Sequence, residues 1–168
     1  MLRDYAPLLH AAAPLGDRGA AMRRAVELLW SAFGKADPAS PSRGLLSWVG
    51  FYTKAPDAAE MTLACREPKP ACSPIGLHGM CGRSWRERCA WVVRDVGALG
   101  AGYIACDPRD RSELVVPLLD PAGHCDAVLD ADSFQVGAFT RRDAEQMHEL
   151  CVRLGLSAPN RPLDVRDL

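Results

Sequence analysis

The sequence of 168 residues lacks the spacing that cysteine-based scaffolds normally show. It has seven cysteines, an odd number, and no CxxC pair. Zinc sites usually repeat a gap of two to four residues between ligands, and only His78 with Cys81 has such a gap here. We therefore predict neither a disulfide framework nor a metal site.

The chain also lacks long apolar runs and an excess of charge of either sign. No stretch approaches a signal peptide or the roughly 20 residues of a membrane span. The 20 basic and 21 acidic residues leave a net charge of -1, which would not attract nucleic acid or an anionic membrane. We expect a cytoplasmic protein, without a nucleic-acid or membrane partner, in which thiols stay reduced.

The pattern of apolar residues predicts one α+β domain over residues 1–156 and a loose tail over 157–168. Asp17 and Thr140 are suited to cap a helix near each end of the chain. Between them we predict an antiparallel sheet of about six strands, including a hairpin formed by 112–119 and 124–133. The terminal helices should pack together on one face of the sheet, with the long irregular region 66–110 on the other.

Three of the cysteines lie in segments that read as loops. Cys72, Cys81 and Cys106 are flanked by Gly, Pro, Ser or Asp, and loops on a rigid scaffold commonly carry chemistry. The patterns around the other cysteines indicate buried core positions for Cys89, Cys125 and Cys151.

Acidic residues alternate along the second strand of the predicted hairpin. Asp130 and Asp132 share a face, about 7 Å apart, which is either a solvated surface or the floor of a covered site. A four-residue turn would bring Glu113 opposite Asp130, whereas a three-residue turn with a bulge at Gly123 would bring it opposite Ala131. The residues of the turn favour the bulge, and the face on which Glu113 lies stays open.

Aromatic residues alternate in the stretch "WVGFY". Trp48, Gly50 and Tyr52 share a face of a predicted strand, and such aromatic stripes are usually core. Alternatively, the glycine leaves a slot between the two rings that would suit a thioether or a cation.

Several motifs together resemble the free methionine-(R)-sulfoxide reductases, which are single-domain enzymes of the GAF fold. The resemblance covers about Trp48 to Phe139. In order along the chain, the motifs are "WVGFY", "ACSPIGLHGMCG", "YIACD" with "RSE", "VVPL", and "VLDADS" with "FT".

The resemblance implies a role for each matching residue. Cys106 corresponds to the nucleophile, Cys72 to the main resolving cysteine, and Cys81 to an alternate resolver or relay. The residues implied to bind substrate are Glu113, Asp130, Asp132, Trp48 and Tyr52. The family also implies free methionine-(R)-sulfoxide as substrate, no cofactor, a thioredoxin-type reductant and a homodimer.

Two other functions and one chemical question stay open at this point. The protein could instead be a GAF-type sensor of a small ligand or of oxidants, or a family member that binds methionine sulfoxide without turnover. Asp107 should disfavour a thiolate at its neighbour Cys106. Arg109, Arg111 or backbone donors could offset this effect.

Overall fold

The computed structural model describes residues 3–34, 45–100, 103 and 106–168. It contains four helices, which are α1 (Ala6–Ala11), α2 (Arg18–Phe33), α3 (Met80–Glu87) and α4 (Arg141–Arg153). The strands are β1 (Trp48–Thr53), β2 (Glu60–Glu67), β3 (Ile75–Gly76), β4 (Ala90–Val93), β5 (Ser112–Leu119), β6 (Cys125–Ser133) and β7 (Val165–Asp167). A 3-10 turn covers Val96–Leu99. No helix among the described residues is long and apolar enough to cross a membrane.

The strands form a single seven-stranded sheet in the order β3-β2-β1-β6-β5-β4-β7. This α+β arrangement confirms the predicted fold class, with one strand more than expected. Neighbouring strands are antiparallel except β4 and β7, which are parallel.

The additional strand comes from the segment expected to be a loose tail. Val165 pairs with Ala90, and Asp167 pairs with Val92, so the end of the chain extends the edge of the sheet. The backbone amide of Leu168 adds a hydrogen bond of 2.9 Å to the carbonyl of Val92. The expectation of looseness was wrong because an open sheet edge pairs with a short strand that carries few apolar residues. A domain boundary at residue 156 stays a prediction.

The helix caps form as the sequence predicts. Asp17 caps α2 by accepting a hydrogen bond from the amide of Ala20. Thr140 and Asp143 form a reciprocal capping box at the start of α4, and a cap of this kind contributes about 1 kcal/mol. Asp143 also accepts a hydrogen bond of 2.9 Å from the Tyr5 hydroxyl, which ties α1 to α4.

The two faces of the sheet support separate apolar clusters. The first lies under α1, α2 and α4 and includes Phe51, Val116, Leu129 and Met147. The terminal helices therefore share one face, as predicted. The second cluster includes Trp91 and Val128 on the opposite face and packs against α3.

Two irregularities set the register of the β5–β6 hairpin. Gly123 has a φ of +88°, and the amide of Gly123 bonds to the carbonyl of Asp120, as in a three-residue turn. A bulge at Asp126 then shifts the pairing by one residue, since Leu119 pairs with Cys125 but Leu118 pairs with Ala127.

This second bulge determines which residue lies opposite Glu113. Glu113 pairs with Asp132, so neither predicted partner, Asp130 or Ala131, is correct. Because paired residues share a face, Glu113, Asp130 and Asp132 all point to the side that carries α3. The bulge also turns Cys125 away from the face of Ala127, so Cys125 packs against the second cluster.

Candidate active site

The cavity that contains most of the predicted site residues, called the main cavity below, lies on the α3 side of the sheet, over β5 and β6. Its volume is about 220 Å³. Of the residues expected to form a site, it brings together Cys72, Cys81, Cys106, Glu113, Asp130, Asp132 and Tyr52. The acidic face of β6 is therefore covered rather than solvated.

Cys106 and Cys72 meet at the mouth of this cavity. Both residues are exposed at the surface, and both line the cavity. Partial burial of the Cys106 sulfur, followed by its interaction with the Cys72 side chain, raises the pKa of the Cys106 thiol to about 12. The resting thiol is therefore protonated at neutral pH.

Three contacts hold the segment that carries Cys72. The Tyr52 hydroxyl donates a hydrogen bond of 2.8 Å to the carbonyl of Cys72. The Trp48 Nε1 atom donates one of 3.0 Å to the carbonyl of Lys69. The Lys69 ammonium group bonds to the Asp107 carboxylate, beside Cys106. Together these contacts place the segment of Cys72 against the segment of Cys106.

Asp107 does not stand as an isolated charge next to Cys106. Its Oδ2 atom lies 2.7 Å from Nη2 of Arg109 and also bonds to Lys69. These partners, Arg109 first, hold the pKa of Asp107 well below its usual range. Arg111 instead lies 3.6 Å from Asp95. Two cations thus offset the acid that should have disfavoured a Cys106 thiolate, and Arg111 has no part in this.

The carboxyl groups in the cavity have raised pKa values because they are buried together. Burial raises the pKa of Asp130 to about 7, against the lowering effect of a hydrogen bond from Cys81. Burial and the charge of Asp130 raise the pKa of Glu113. The pKa of Asp132 is raised by burial and then by Asp130 and Glu113. At neutral pH such a cluster holds protonated and ionised carboxyls side by side.

Cys81 differs from the loop cysteine that the sequence suggested. It lies in the first turn of α3, is buried, and has its sulfur within 4.8 Å of a carboxylate oxygen of Asp130. Burial, followed by the charge of Asp130, raises the pKa of its thiol. The glycines around it read as loop residues, yet Gly79 caps the helix and Gly82 packs against the backbone of Leu77.

Trp48 and Tyr52 do not enclose an open slot. Their ring centroids are 6.1 Å apart, and the Trp48 ring folds over Gly50, where an added Cβ would lie 2.3 Å from it. The Trp48 indole therefore occupies the space that a side chain at Gly50 would need. Tyr52 lines the main cavity, whereas Trp48 lines a smaller adjoining one of about 30 Å³.

No family model matches the sequence. The chain is 33% identical over 107 residues to the free methionine-R-sulfoxide reductase of Saccharomyces cerevisiae, covering 62% of this chain and 59% of that protein. It thus spans less than two thirds of the yeast relative. The structure of free methionine-R-sulfoxide reductase from Neisseria meningitidis in complex with its substrate superposes with a TM-score of 0.73 and 32% identity. That match covers 91% of this chain and 87% of the other.

The chain belongs to the free methionine-R-sulfoxide reductase family. Its fold is accordingly GAF-like. A putative GAF sensor protein from Burkholderia vietnamiensis is also similar, with 31% identity, a TM-score of 0.71, and coverage of 91% of this chain and 87% of the other. The family named from the motifs is confirmed, while the roles of individual residues stay predictions.

Two cavity residues of this reductase family member were missed from the sequence. The Tyr103 hydroxyl donates a hydrogen bond of 2.7 Å to Oε2 of Glu113. Asp110 is buried, lines the cavity and accepts a hydrogen bond of 2.6 Å from the Ser47 hydroxyl. Both lie within four residues of Cys106 in the sequence, and this proximity could have identified them as candidate site residues. Their orientation toward the cavity depends on a loop that has no periodic pattern.

Proposed function

We propose that the protein reduces free methionine-(R)-sulfoxide to methionine by thiol chemistry. The observation that carries this proposal is one cavity lined by Cys106 and Cys72, by the buried carboxyls of Glu113 and Asp130, and by the partly buried carboxyl of Asp132. Family membership supports the substrate, since the relatives named above are reductases of this compound.

The first step transfers the sulfoxide oxygen to Cys106. The thiol gives its proton to an ionised carboxylate of the cluster, and the thiolate attacks the sulfoxide sulfur. A protonated carboxyl donates a proton to the oxygen, which ends on the cysteine as a sulfenic acid while methionine leaves. The raised pKa values of Glu113, Asp130 and Asp132 supply protonated carboxyls at neutral pH.

The second step forms a disulfide between the two exposed cysteines. The Cys72 thiol attacks the sulfenic sulfur of Cys106, the S–O bond breaks, and water leaves. Both cysteines line the same cavity, and Cys72 is close enough to shift the pKa of Cys106, which favours formation of this disulfide. An external dithiol of the thioredoxin type then reduces the disulfide by thiol exchange. Cys81 is buried, so we assign it a secondary role as relay or alternate resolver.

The negative charge of the cavity accounts for selection of the free amino acid. An ionised carboxylate in this cluster can hold the substrate ammonium group, which a methionine residue inside a chain does not have. Tyr52 contributes an aromatic wall. Trp48, which donates a hydrogen bond to Lys69, shapes the site by holding the segment that carries Cys72.

The proposal is tested by measuring methionine released from each sulfoxide epimer in the presence of dithiothreitol. We expect turnover of the free R epimer, no turnover of its N-acetyl derivative, and no turnover by Cys106→Ser. Cys65→Ser is the matched control, because Cys65 packs against the core on the other face of the sheet. Equal activity in Cys106→Ser would remove that residue from its role, and binding without consumption would indicate a sensor.

A single-turnover experiment separates the two steps. Cys72→Ser should release one methionine per chain and then recycle poorly, because the sulfenic acid lacks its nearest thiol. Unimpaired recycling with thioredoxin would move the resolving role to Cys81. The thioredoxin-type reductant and a homodimer belong to this proposal through the family resemblance, and a cytoplasmic location stays the expectation drawn from the sequence. A coupled thioredoxin assay and sedimentation of the purified chain test the first two.

A further inference from the structure

The floor of the main cavity concentrates acidic groups, and the nearby cations, Lys69 and Arg109, are paired with Asp107 outside its lining. Asp110, Glu113, Asp130 and Asp132 all line it. Among the described lining residues none is lysine or arginine, and His78 is the one basic side chain. A cavity with this composition favours a positively charged occupant.

Three side chains of the floor point ligand atoms at a common position. The Cys81 sulfur and one carboxylate oxygen each from Glu113 and Asp130 lie within 4.8 Å of one another, and all three residues are buried. Tetrahedral zinc with bonds of 2.0–2.3 Å would place such atoms roughly 3.3–3.7 Å apart. A closure of at most about 1.5 Å by side-chain rotation would therefore complete the geometry.

Two further observations point to a ligand at this position. Among the described residues, the Oδ1 atom of Asp130 has no hydrogen-bond partner, although Asp130 is only 7% exposed. A buried carboxylate oxygen without a partner costs free energy that a bound cation would offset. Glu113 receives a hydrogen bond at Oε2 from Tyr103, which orients the carboxylate, and no residue in the described part of the chain donates one to Oε1. Outer contacts of this kind commonly orient the ligands of a metal.

We propose that the cavity floor binds a thiophilic divalent cation of the zinc type through Cys81, Glu113 and Asp130. One thiolate and two carboxylates supply three ligands, and the opening of the cavity leaves a fourth position for water. The thiolate disfavours Mg²⁺ and Ca²⁺, which prefer oxygen ligands alone. On binding, the Cys81 thiol and any protonated carboxyl of Glu113 or Asp130 lose their protons to solvent, and a sulfur–metal bond and two oxygen–metal bonds form.

Such a cation would exclude the substrate. This consequence rests on the proposed function, because the same carboxylates are there assigned to the substrate ammonium group. A bound zinc ion would occupy the floor and hold the reductase in an inactive, reversible state. Occupation by zinc and by free methionine sulfoxide should therefore be mutually exclusive.

The test measures zinc binding directly, on the reduced full chain, by competition with a chromogenic zinc indicator. We expect one zinc ion per chain, displaced by free methionine-(R)-sulfoxide, and no displacement by millimolar Mg²⁺ or Ca²⁺. Cys81→Ser and Glu113→Gln should each weaken binding at least tenfold. The matched control is the double variant Cys72→Ser/Cys106→Ser, which removes the exposed thiol pair and should bind zinc as the native chain does.

Several results would overturn the site. The first is native affinity for zinc in both floor variants, Cys81→Ser and Glu113→Gln. The second is loss of zinc binding in the double control, Cys72→Ser/Cys106→Ser. The third is simultaneous binding of zinc and methionine sulfoxide. If the floor variants fail to fold, Cd²⁺ added to the double control provides a second measurement, because coordination by Cys81 produces thiolate-to-metal absorption. Absence of that absorption would refute coordination by the thiol. Turnover by the metal-free chain tests the proposed function separately, since it requires no zinc.

Discussion

The Cys106 thiol of the resting protein should react slowly with a soft alkylating agent such as iodoacetamide. Only the thiolate reacts, and burial together with the hydrogen bond to Cys72 raises the pKa of Cys106 from 9.0 to about 12. An exposed cysteine of the same chain in denaturant has an ordinary pKa, so the unfolded protein is its own reference. The experiment therefore compares the alkylation rate of Cys106 in the native chain with that of the same residue in the unfolded chain.

The expected difference follows from the two pKa values. A shift of about three units reduces the thiolate fraction below pH 9 by about a thousandfold. A thiolate of higher pKa is also more nucleophilic, with a Brønsted coefficient of about 0.4–0.5. Each Cys106 thiolate should therefore react roughly twentyfold faster, which offsets part of the loss in thiolate fraction. Cys106 in the native chain should thus react about 50-fold more slowly than in the unfolded chain. Its rate should increase about tenfold per pH unit from pH 7 to 10, without a plateau.

Peptide mass spectrometry after timed alkylation at each pH measures both quantities for Cys106 alone. Cys72→Ala should accelerate the reaction, because it removes the thiol whose hydrogen bond raises the pKa. A plateau below pH 9 in the native chain, or a native rate equal to that in denaturant, would refute the reasoning. A plateau would mean that the nucleophile is already ionised at rest, and an equal rate would mean that the folded protein leaves the pKa of Cys106 unshifted.

Two aspartates should affect stability with opposite dependence on pH. Burial raises the pKa of Asp130 to about 7, so its ionisation destabilises the fold as pH increases from about 4 to 7. In urea titrations at pH 8, Asp130→Asn should therefore have a free energy of unfolding a few kcal/mol higher than that of the native chain. Near pH 4 the two proteins should have the same free energy of unfolding. A gain of the same size at both pH values would contradict this. The lowered pKa of Asp107 contributes stability above about pH 4 that is lost as pH falls below it. Asp107→Asn should lower the free energy of unfolding by about 1–2 kcal/mol at pH 7, a modest loss because Lys69 and Arg109 are partly solvated. The loss should be smaller at pH 3. A loss of the same size at both pH values would refute a stabilising role of the ion pairs.

Local signals were sufficient to predict much of this fold. Helix caps at Asp17 and Thr140 act through hydrogen bonds to the next turn, so a few neighbouring residues determine them. The turn at Gly123 is equally local, because its positive φ favours glycine. Strand alternation placed Asp130 and Asp132 on one face, and of the two alternatives left open for that face the structure shows the covered site.

The sequence carried no comparable signal for the second bulge. The bulge leaves Asp126 unpaired, and the neighbouring residues in the sequence do not distinguish this position from a regular strand position. It nevertheless brings Glu113 opposite Asp132, which neither register considered from the turn would have done. A shift of one residue was enough to complete the acidic cluster of the cavity.

Sequence alone was thus decisive for features whose causes lie within a few residues of one another, which include the caps, the turn, the faces of the strands and the motifs of the family. Tertiary structure decided the contacts between segments far apart in the chain. Lys69 neutralises Asp107, the Trp48 ring fills the space above Gly50, and Cys81 is buried against Asp130. Each of these depends on how loops pack over the sheet, and the free energy of that packing is a property of the assembled cavity rather than of any short stretch.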